Sequence, residues 1–267
     1  MIRLIACDVD GTLVPDGTAQ INTEIYDVIR RLKSMGVVFA VASGRQFASV
    51  ERLFEPVRDE ILYITDNGGF VRSASEVYSS TPLTQKEITG LVRDGRRLPG
   101  CDIMLCGQDW AYAAREDTPM FRWLRDCYRY NVRAVGDLTK PIDDAIVKLS
   151  VYHPDGAGKV CADSFTPKWS KVVKVTEGGH EWVDCMSLET NKGAALRSLQ
   201  KRLGVTREET MAFGDNLNDL ELLAEAKYSC AVGNAHSAVK QAASRVVDTN
   251  VNDGVLKTLR ELLGSMG

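Results

Sequence analysis

Two aspartates stand two positions apart near the amino end of the chain, in Cys7-Asp8-Val9-Asp10-Gly11-Thr12-Leu13. An apolar run, Ile2 to Cys7, leads into them and reads as a buried strand bounded by a Gly turn. The pair then falls at the strand's carboxyl end, where open α/β sheets place their sites. Along an extended chain Asp8 and Asp10 share a face. Carboxylates that close repel, so at neutral pH they call for a cation or a shared proton. The plainer reading of the same residues is an Asp-Gly turn with a neighbouring Asp.

Three more polar clusters carry chemistry: Ser43-Gly44-Arg45, Asn191-Lys192-Gly193 and Gly214-Asp215-Asn216-Leu217-Asn218-Asp219. Carboxylate oxygens suit Mg²⁺, usually held by one or two carboxylates, waters and a substrate phosphate. A hydroxyl, a lysine and backbone N–H groups suit phosphate oxygens. No histidine joins the set, since His153, His180 and His236 sit in other contexts. A Ser-His-Asp triad is therefore unsupported, because Ser43 has no identifiable base. Ser43 also suits an N-cap of the helix that follows it, Arg45 a surface position and Asn67 a turn.

The elements that must position these residues follow from periodicity. Asn22 can cap a helix whose apolar residues Ile25, Val28, Ile29 and Leu32 form one face, with Gly36 at its end. Val14 to Gly17 reads as a turn at a hairpin tip. Val37 to Ala42 is a second apolar run and ends at Ser43. A strand, helix and strand in this span make a βαβ unit, which implies a parallel sheet with a right-handed crossover. Ser43 therefore lands at the same sheet edge as Asp8. A helix over Phe47, Val50 and Phe54, a strand Ile61 to Ile64 and a hairpin Phe70 to Ser80 follow.

From Leu83 the texture changes. A helix is expected over Gln85–Leu98 and another over Pro119–Tyr130. Strands are expected at Cys101–Leu105, Trp110–Ala113, Ala145–Tyr152, Lys171–Val175 and Glu181–Met186, with a helical stretch near Gly158–Phe165. All four tryptophans lie here and read as core rather than substrate platform. The α/β pattern resumes with a helix opened by Asn191-Lys192-Gly193, a capping box at Thr206–Glu209 and a strand Met211–Phe213. A helix Leu220–Ala226, a strand Ser229–Val232 and helices at Ala238–Ala243 and Leu256–Leu263 complete it. The expected fold class is α/β: a Rossmann-like parallel-sheet core with an inserted α+β cap domain. Residues 1–82 and 186–267 would form the core and 83–185 the insert.

The 267 residues are 44% hydrophobic and 26% charged, with net charge −3. Such a composition can bury a core, and the absence of a Lys/Arg block argues against nucleic acid as the main partner. No apolar run approaches the ~20 residues that span a bilayer, so no membrane partner is expected. Seven cysteines without a C-x-x-C pattern suit reduced thiols in a cytoplasm, and no secretory signal is apparent at the start. Oligomeric state is not legible.

The chain resembles the haloacid dehalogenase superfamily phosphatases of the Cof type over nearly its whole length. Asp8-Val9-Asp10-Gly11-Thr12 matches the first motif, Ser43-Gly44-Arg45 the second, Lys192-Gly193 the third and Gly214 to Asp219 the fourth. The resemblance implies a large α/β cap between the second and third motifs, acting as a lid and specificity element, and Mg²⁺ as cofactor. It implies Asp8 as nucleophile, forming an aspartyl-phosphate, and Asp10 as acid and then base. Asp8, the backbone carbonyl of Asp10 and Asp215 would hold the metal. Ser43, Gly44, Arg45, Lys192 and Asn218 would bind phosphate or substrate. Thr12 and Asp219 would support them, Asp219 by orienting Lys192 or the metal's waters. The implied substrate is a small phosphorylated metabolite, a sugar phosphate or a cofactor phosphate. Cap residues near Asp109–Tyr112 and Lys171–Trp182 would select it. Two alternatives stay open: a sugar phosphomutase of the same superfamily, and a non-catalytic regulator that binds a phosphometabolite.

Overall fold

A computed structural model describes residues 1–15, 18 and 20–266 of the chain. The turn expected at Val14–Gly17 includes Asp16 and Gly17 and so lies outside the described residues. The chain divides into two compact units. The first comprises Met1–Ser43, Val50–Ser79 and Asn191–Gly267; the second comprises Gly44–Ser49 and Ser80–Thr190.

The elements run in chain order as β1 (Leu4–Asp8), α1 (Glu24–Ser34), β2 (Val38–Ala42), α2 (Phe47–Leu53), β3 (Leu62–Thr65), β4 (Phe70–Arg72) and β5 (Val77–Ser80). Next come α3 (Gln85–Gly95), β6 (Asp102–Cys106), β7 (Ala111–Ala113), α4 (Pro119–Asp126), β8 (Val132–Ala134) and β9 (Lys148–Tyr152). Two short helices, α5 (Ala157–Cys161) and α6 (Phe165–Trp169), precede β10 (Lys174–Glu177) and β11 (Trp182–Met186). The chain ends with α7 (Lys192–Leu203), β12 (Thr210–Gly214), α8 (Leu220–Ala224), β13 (Tyr228–Ala231), α9 (Ser237–Ala242), β14 (Arg245–Val246) and α10 (Gly254–Met266).

One sheet runs β14-β13-β12-β1-β2-β3-β4-β5. Its strands are parallel from β14 to β3, and β4 turns back antiparallel to β3. Strand β1 lies between β2 and β12, with Asp8 opposite Ala42 and Cys7 opposite Phe213. The chain winds from β1 to β2 and β3 on one side and from β12 to β13 and β14 on the other. A topological switch point therefore falls between β1 and β12, the position at which open α/β sheets bind their ligands. Residues 8, 43 and 215 each sit at or one step beyond a strand end on that edge. Strand β1 is wholly buried, and its apolar run Leu4 to Cys7 suits a sheet covered on both faces.

Helix α1 buries Ile25, Val28, Ile29 and Leu32, the face its spacing implies. Its N-cap position is Thr23 rather than Asn22, and Thr23 makes no side-chain cap bond. Asn22 still serves the helix start, because its Oδ1 accepts the Glu24 N–H at 3.1 Å.

The second unit holds a sheet in the order β10-β11-β9-β6-β7-β8, antiparallel except for the β7–β8 pair. Alternation sends Ile103, Leu105, Leu149, Val151, Val183 and Cys185 into one apolar cluster with α3 and α6. Met104, Cys106, Ala111, Ala113, Tyr152 and Trp182 enter another with α4. Trp169 and Trp182 are buried core, while Trp110 and Trp123 are half-buried. The strand expected at Lys171–Val175 begins instead at Lys174. Residues 172 and 173 turn back on α6, their N–H groups donating to the Trp169 carbonyl at 2.8 and 2.9 Å. The apolar pair Val172-Val173 imitates a strand, yet only Val173 is buried. The stretch Gly158–Phe165 is split between α5 and α6. Pro167, lacking an N–H, suits the first turn of a new helix better than the interior of a long one.

Candidate active site

The first unit gathers most of the singled-out residues at the ends of β1 and β12. Asp8 closes β1 and is 4% exposed. Immediately after it the chain folds tightly: the Val9 carbonyl accepts the N–H groups of Leu13 and Val14 at 2.9 and 3.0 Å, and Gly11 N–H donates to Val14 O at 2.8 Å. Gly11 sits at φ +78°, and a Cβ there would stand 2.3 Å from Asp215 Oδ2. Glycine is therefore needed twice, for a left-handed turn and for the approach of Asp215. Thr12, next in line and buried, donates its hydroxyl to Asp215 Oδ1 at 2.9 Å. Asp10 is half-buried and bridges to Val14 through the backbone.

Lys192 begins α7, whose start is capped by Asn191 Oδ1 accepting the Ala194 N–H at 2.7 Å. A Cβ at Gly193 would stand 2.4 Å from the Glu221 carbonyl, so Gly193 lets α7 lie hard against α8. Lys192 is 1% exposed, and its ammonium donates to Asp8 Oδ1 and to Asp219 Oδ1, each at 2.6 Å. Asp219 Oδ2 accepts the backbone N–H groups of Asp215 and Asn216 at 3.0 and 3.1 Å. One carboxylate thus fixes the lysine and the loop that carries Asp215.

Ser43 is buried one residue beyond the β2 partner of Asp8. Its N–H donates to Ile64 O at 2.8 Å and its carbonyl accepts the Asn67 N–H at 3.0 Å. Asn67, in the left-handed region at φ 57°, accepts from the exposed Asn218 through its Oδ1 at 3.0 Å. Gly44 and Arg45 belong to the second unit, where the Gly44 carbonyl accepts from Lys148.

Carboxylate oxygens of Asp8, Asp215 and Asp219 all lie within 4.8 Å of one another. The Asp10 carboxylate is outside that group; the expectation there concerned its backbone carbonyl. Burial, and then the charges of Asp219 and Asp215, push the Asp8 carboxyl well above the usual range, with Lys192 pulling the other way. Burial alone would lower the Lys192 ammonium, but Asp219 and Asp8 more than reverse this and hold it charged. Three carboxylates against one ammonium leave the cluster short of positive charge. Asp8 Oδ2 is buried and has no hydrogen-bond partner among the described residues. An orphaned buried oxygen beside a second carboxylate is the donor set a hard divalent cation fits.

The sequence reading missed Asn234. Its Nδ2 donates to the Gly11 carbonyl at 2.8 Å and its Oδ1 accepts the Asn250 N–H at 2.9 Å, which ties the turn after Asp8 to the carboxyl-terminal region. Its only sequence signal is its place just past a strand at the same sheet edge.

Residues 5–259 match the haloacid dehalogenase-like hydrolase family. The chain is 27% identical over 262 residues to the 5-amino-6-(5-phospho-D-ribitylamino)uracil phosphatase YbjI of Escherichia coli, covering 98% of this chain and 96% of the relative. It is 27% identical over 261 residues to the Bacillus subtilis phosphatase YcsE of the same description, covering 97% and 95%. A solved structure from Eubacterium rectale, 39% identical, superposes with a TM-score of 0.91 and covers 98% of this chain and 99% of that one. The chain belongs to the haloacid dehalogenase-like hydrolases. Within that family it is a phosphatase.

Proposed function

We propose that this phosphatase hydrolyses a small phosphate monoester in two steps through an aspartyl-phosphate on Asp8. The observation that carries the reading is the division of labour on one buried carboxylate: Asp8 Oδ1 is gripped by Lys192 while Oδ2 has no partner among the described residues. In the first step an Asp8 oxygen bonds to phosphorus and the ester P–O bond breaks. Asp10 gives its proton to the leaving oxygen. In the second step Asp10 takes a proton from water, the water oxygen bonds to phosphorus, and the Asp8–phosphorus bond breaks. Asp10 ends protonated and ready for another cycle. Lys192 pulls against the burial and neighbouring charges that disfavour the Asp8 carboxylate, and it would offset the charge of the approaching phosphate. Ser43 and Asn218 would hold phosphoryl oxygens, and Arg45 would contact the substrate.

Asp8, the Asp10 carbonyl and Asp215 would hold Mg²⁺, with Thr12 and Gly11 setting the Asp215 carboxylate in place. When bound, the ion supplies charge neutralisation that lets a carboxylate approach a phosphate dianion. The names of the two relatives make 5-amino-6-(5-phospho-D-ribitylamino)uracil the first ester to test, ahead of sugar and cofactor phosphates. The second unit would act as the specificity element. Among the described residues no helix is long and apolar enough to cross a membrane. Seven cysteines without a C-x-x-C pattern suit a reducing compartment, which supports a cytoplasmic location.

Phosphate release from an aryl phosphate and from a panel of metabolite esters tests the reading. Asp8→Asn should lower turnover by at least about a thousandfold in folded protein. Turnover retained by that variant would overturn it.

A further inference from the structure

Strand β9 sends Leu149 and Val151 to one face of its sheet and Lys148, Ser150 and Tyr152 to the other. Lys148 is 3% exposed, an expensive place for an ammonium unless it is fully partnered. Sheet register sets Ser150 beside Asp184 on β11, and the Ser150 hydroxyl donates to Asp184 Oδ1 at 2.6 Å. Asp184 Oδ2 lies 3.4 Å from the Lys148 ammonium. The ammonium also donates to the Gly44 carbonyl at 3.0 Å. Two residues further on, the Gln46 N–H donates to the Tyr130 hydroxyl oxygen at 3.2 Å. The Tyr130 ring is itself buried edge-on against Tyr128, centroids 5.8 Å apart.

Both of these bonds reach backbone atoms, and they fall on the two residues that flank Arg45. Fixing the carbonyl of residue 44 and the N–H of residue 46 restricts the backbone of residue 45 whatever side chains its neighbours carry. A buried ion pair with no task beyond packing is often replaced by apolar residues at little loss. Here the pair has a third partner, the Gly44 carbonyl, in the segment that directly follows Ser43.

We propose that Lys148, paired with an Asp184 that Ser150 fixes in place, and Tyr130 are positioning residues that clasp Gly44 and Gln46 and so aim Arg45 for substrate capture. This rests on the phosphatase reading above. Neither residue touches substrate; both act through Arg45.

The test is a set of double-mutant cycles on kcat and KM for an aryl phosphate. The variants are Tyr130→Phe, and Lys148→Met combined with Asp184→Leu so that no lone charge is left buried. Each is made alone and together with Arg45→Ala. In folded protein Tyr130→Phe should lower kcat/KM roughly two- to tenfold and the combined variant roughly ten- to hundredfold, chiefly through KM. In the Arg45→Ala background the same changes should have less than about a twofold effect, the non-additivity expected of residues acting through one group. Full kcat/KM in folded Tyr130→Phe overturns the proposal, as do losses that multiply with Arg45→Ala. Wild-type protein that released no phosphate from any ester would overturn the phosphatase reading itself.

Discussion

Each unit of this protein buries one lysine against aspartate, and the two arrangements differ in what they leave unsatisfied. In the second unit Asp184 is completed by Ser150 on one oxygen and approached by Lys148 on the other. In the first unit Lys192 bonds Asp8 and Asp219 equally, at 2.6 Å each, yet Asp8 keeps an oxygen that has no partner among the described residues and has Asp215 nearby. The closed network can hold a backbone in place. The open one leaves an Asp8 oxygen and a deficit of positive charge that the proposed chemistry would use on a phosphate and a cation. Burial and charge pairing are common to both, so what separates a reactive site from a clasp is the residue of unmet bonding.

Removing the lysine from each pair would break or sharpen that contrast. Lys192→Met leaves Asp8 and Asp219 buried together without a cation. It should lower phosphatase turnover roughly a hundred- to a thousandfold and destabilise the metal-free protein by about 3–5 kcal/mol, read by urea melts. The combined change at Lys148 and Asp184 should instead spare kcat and act on KM. Equal effects on kcat from both would erase the distinction.

A smaller effect comes from pH. Burial and the neighbouring carboxylates raise the Asp8 carboxyl above its unfolded value. Between the unfolded and folded values the native state binds more protons than the unfolded chain, so stability falls as pH rises through that window. With divalent ions chelated, wild type should lose stability relative to Asp8→Asn as pH rises from about 4 toward neutrality. Magnesium should restore it in wild type only. A difference between the two proteins that is the same at acid and neutral pH would contradict this.

The first of the two networks was legible in the sequence and the second was not. Asp8, Gly11, Lys192, Gly193 and Asp215 stand in short motifs, and each motif follows an apolar strand or opens a helix. Local spacing plus parallel topology therefore brings them to one edge. The α/β core follows from the same logic. Lys148 and Asp184 are far apart in sequence and meet only through antiparallel register, which no spacing rule fixes. The one local hint was a charged residue inside the apolar strand expected at Ala145–Tyr152. Asn234 was hidden for a similar reason, since its partner Gly11 lies at the other end of the chain. In the insert, Val172-Val173 carried a strand's composition in a turn. The structure separates them by whether the backbone N–H groups face a neighbouring strand or the helix just ended.

The central claim is that the Asp8 oxygen bonds to phosphorus during turnover. Acid-quenching the enzyme in the steady state with magnesium and substrate, followed by peptide mass spectrometry, tests this directly. A phosphoryl group on the peptide containing Asp8, absent from Asp8→Asn and lost on incubation at neutral pH, is the predicted result. Steady turnover with no phosphoryl group on that peptide, or the group found on another residue, would contradict the account.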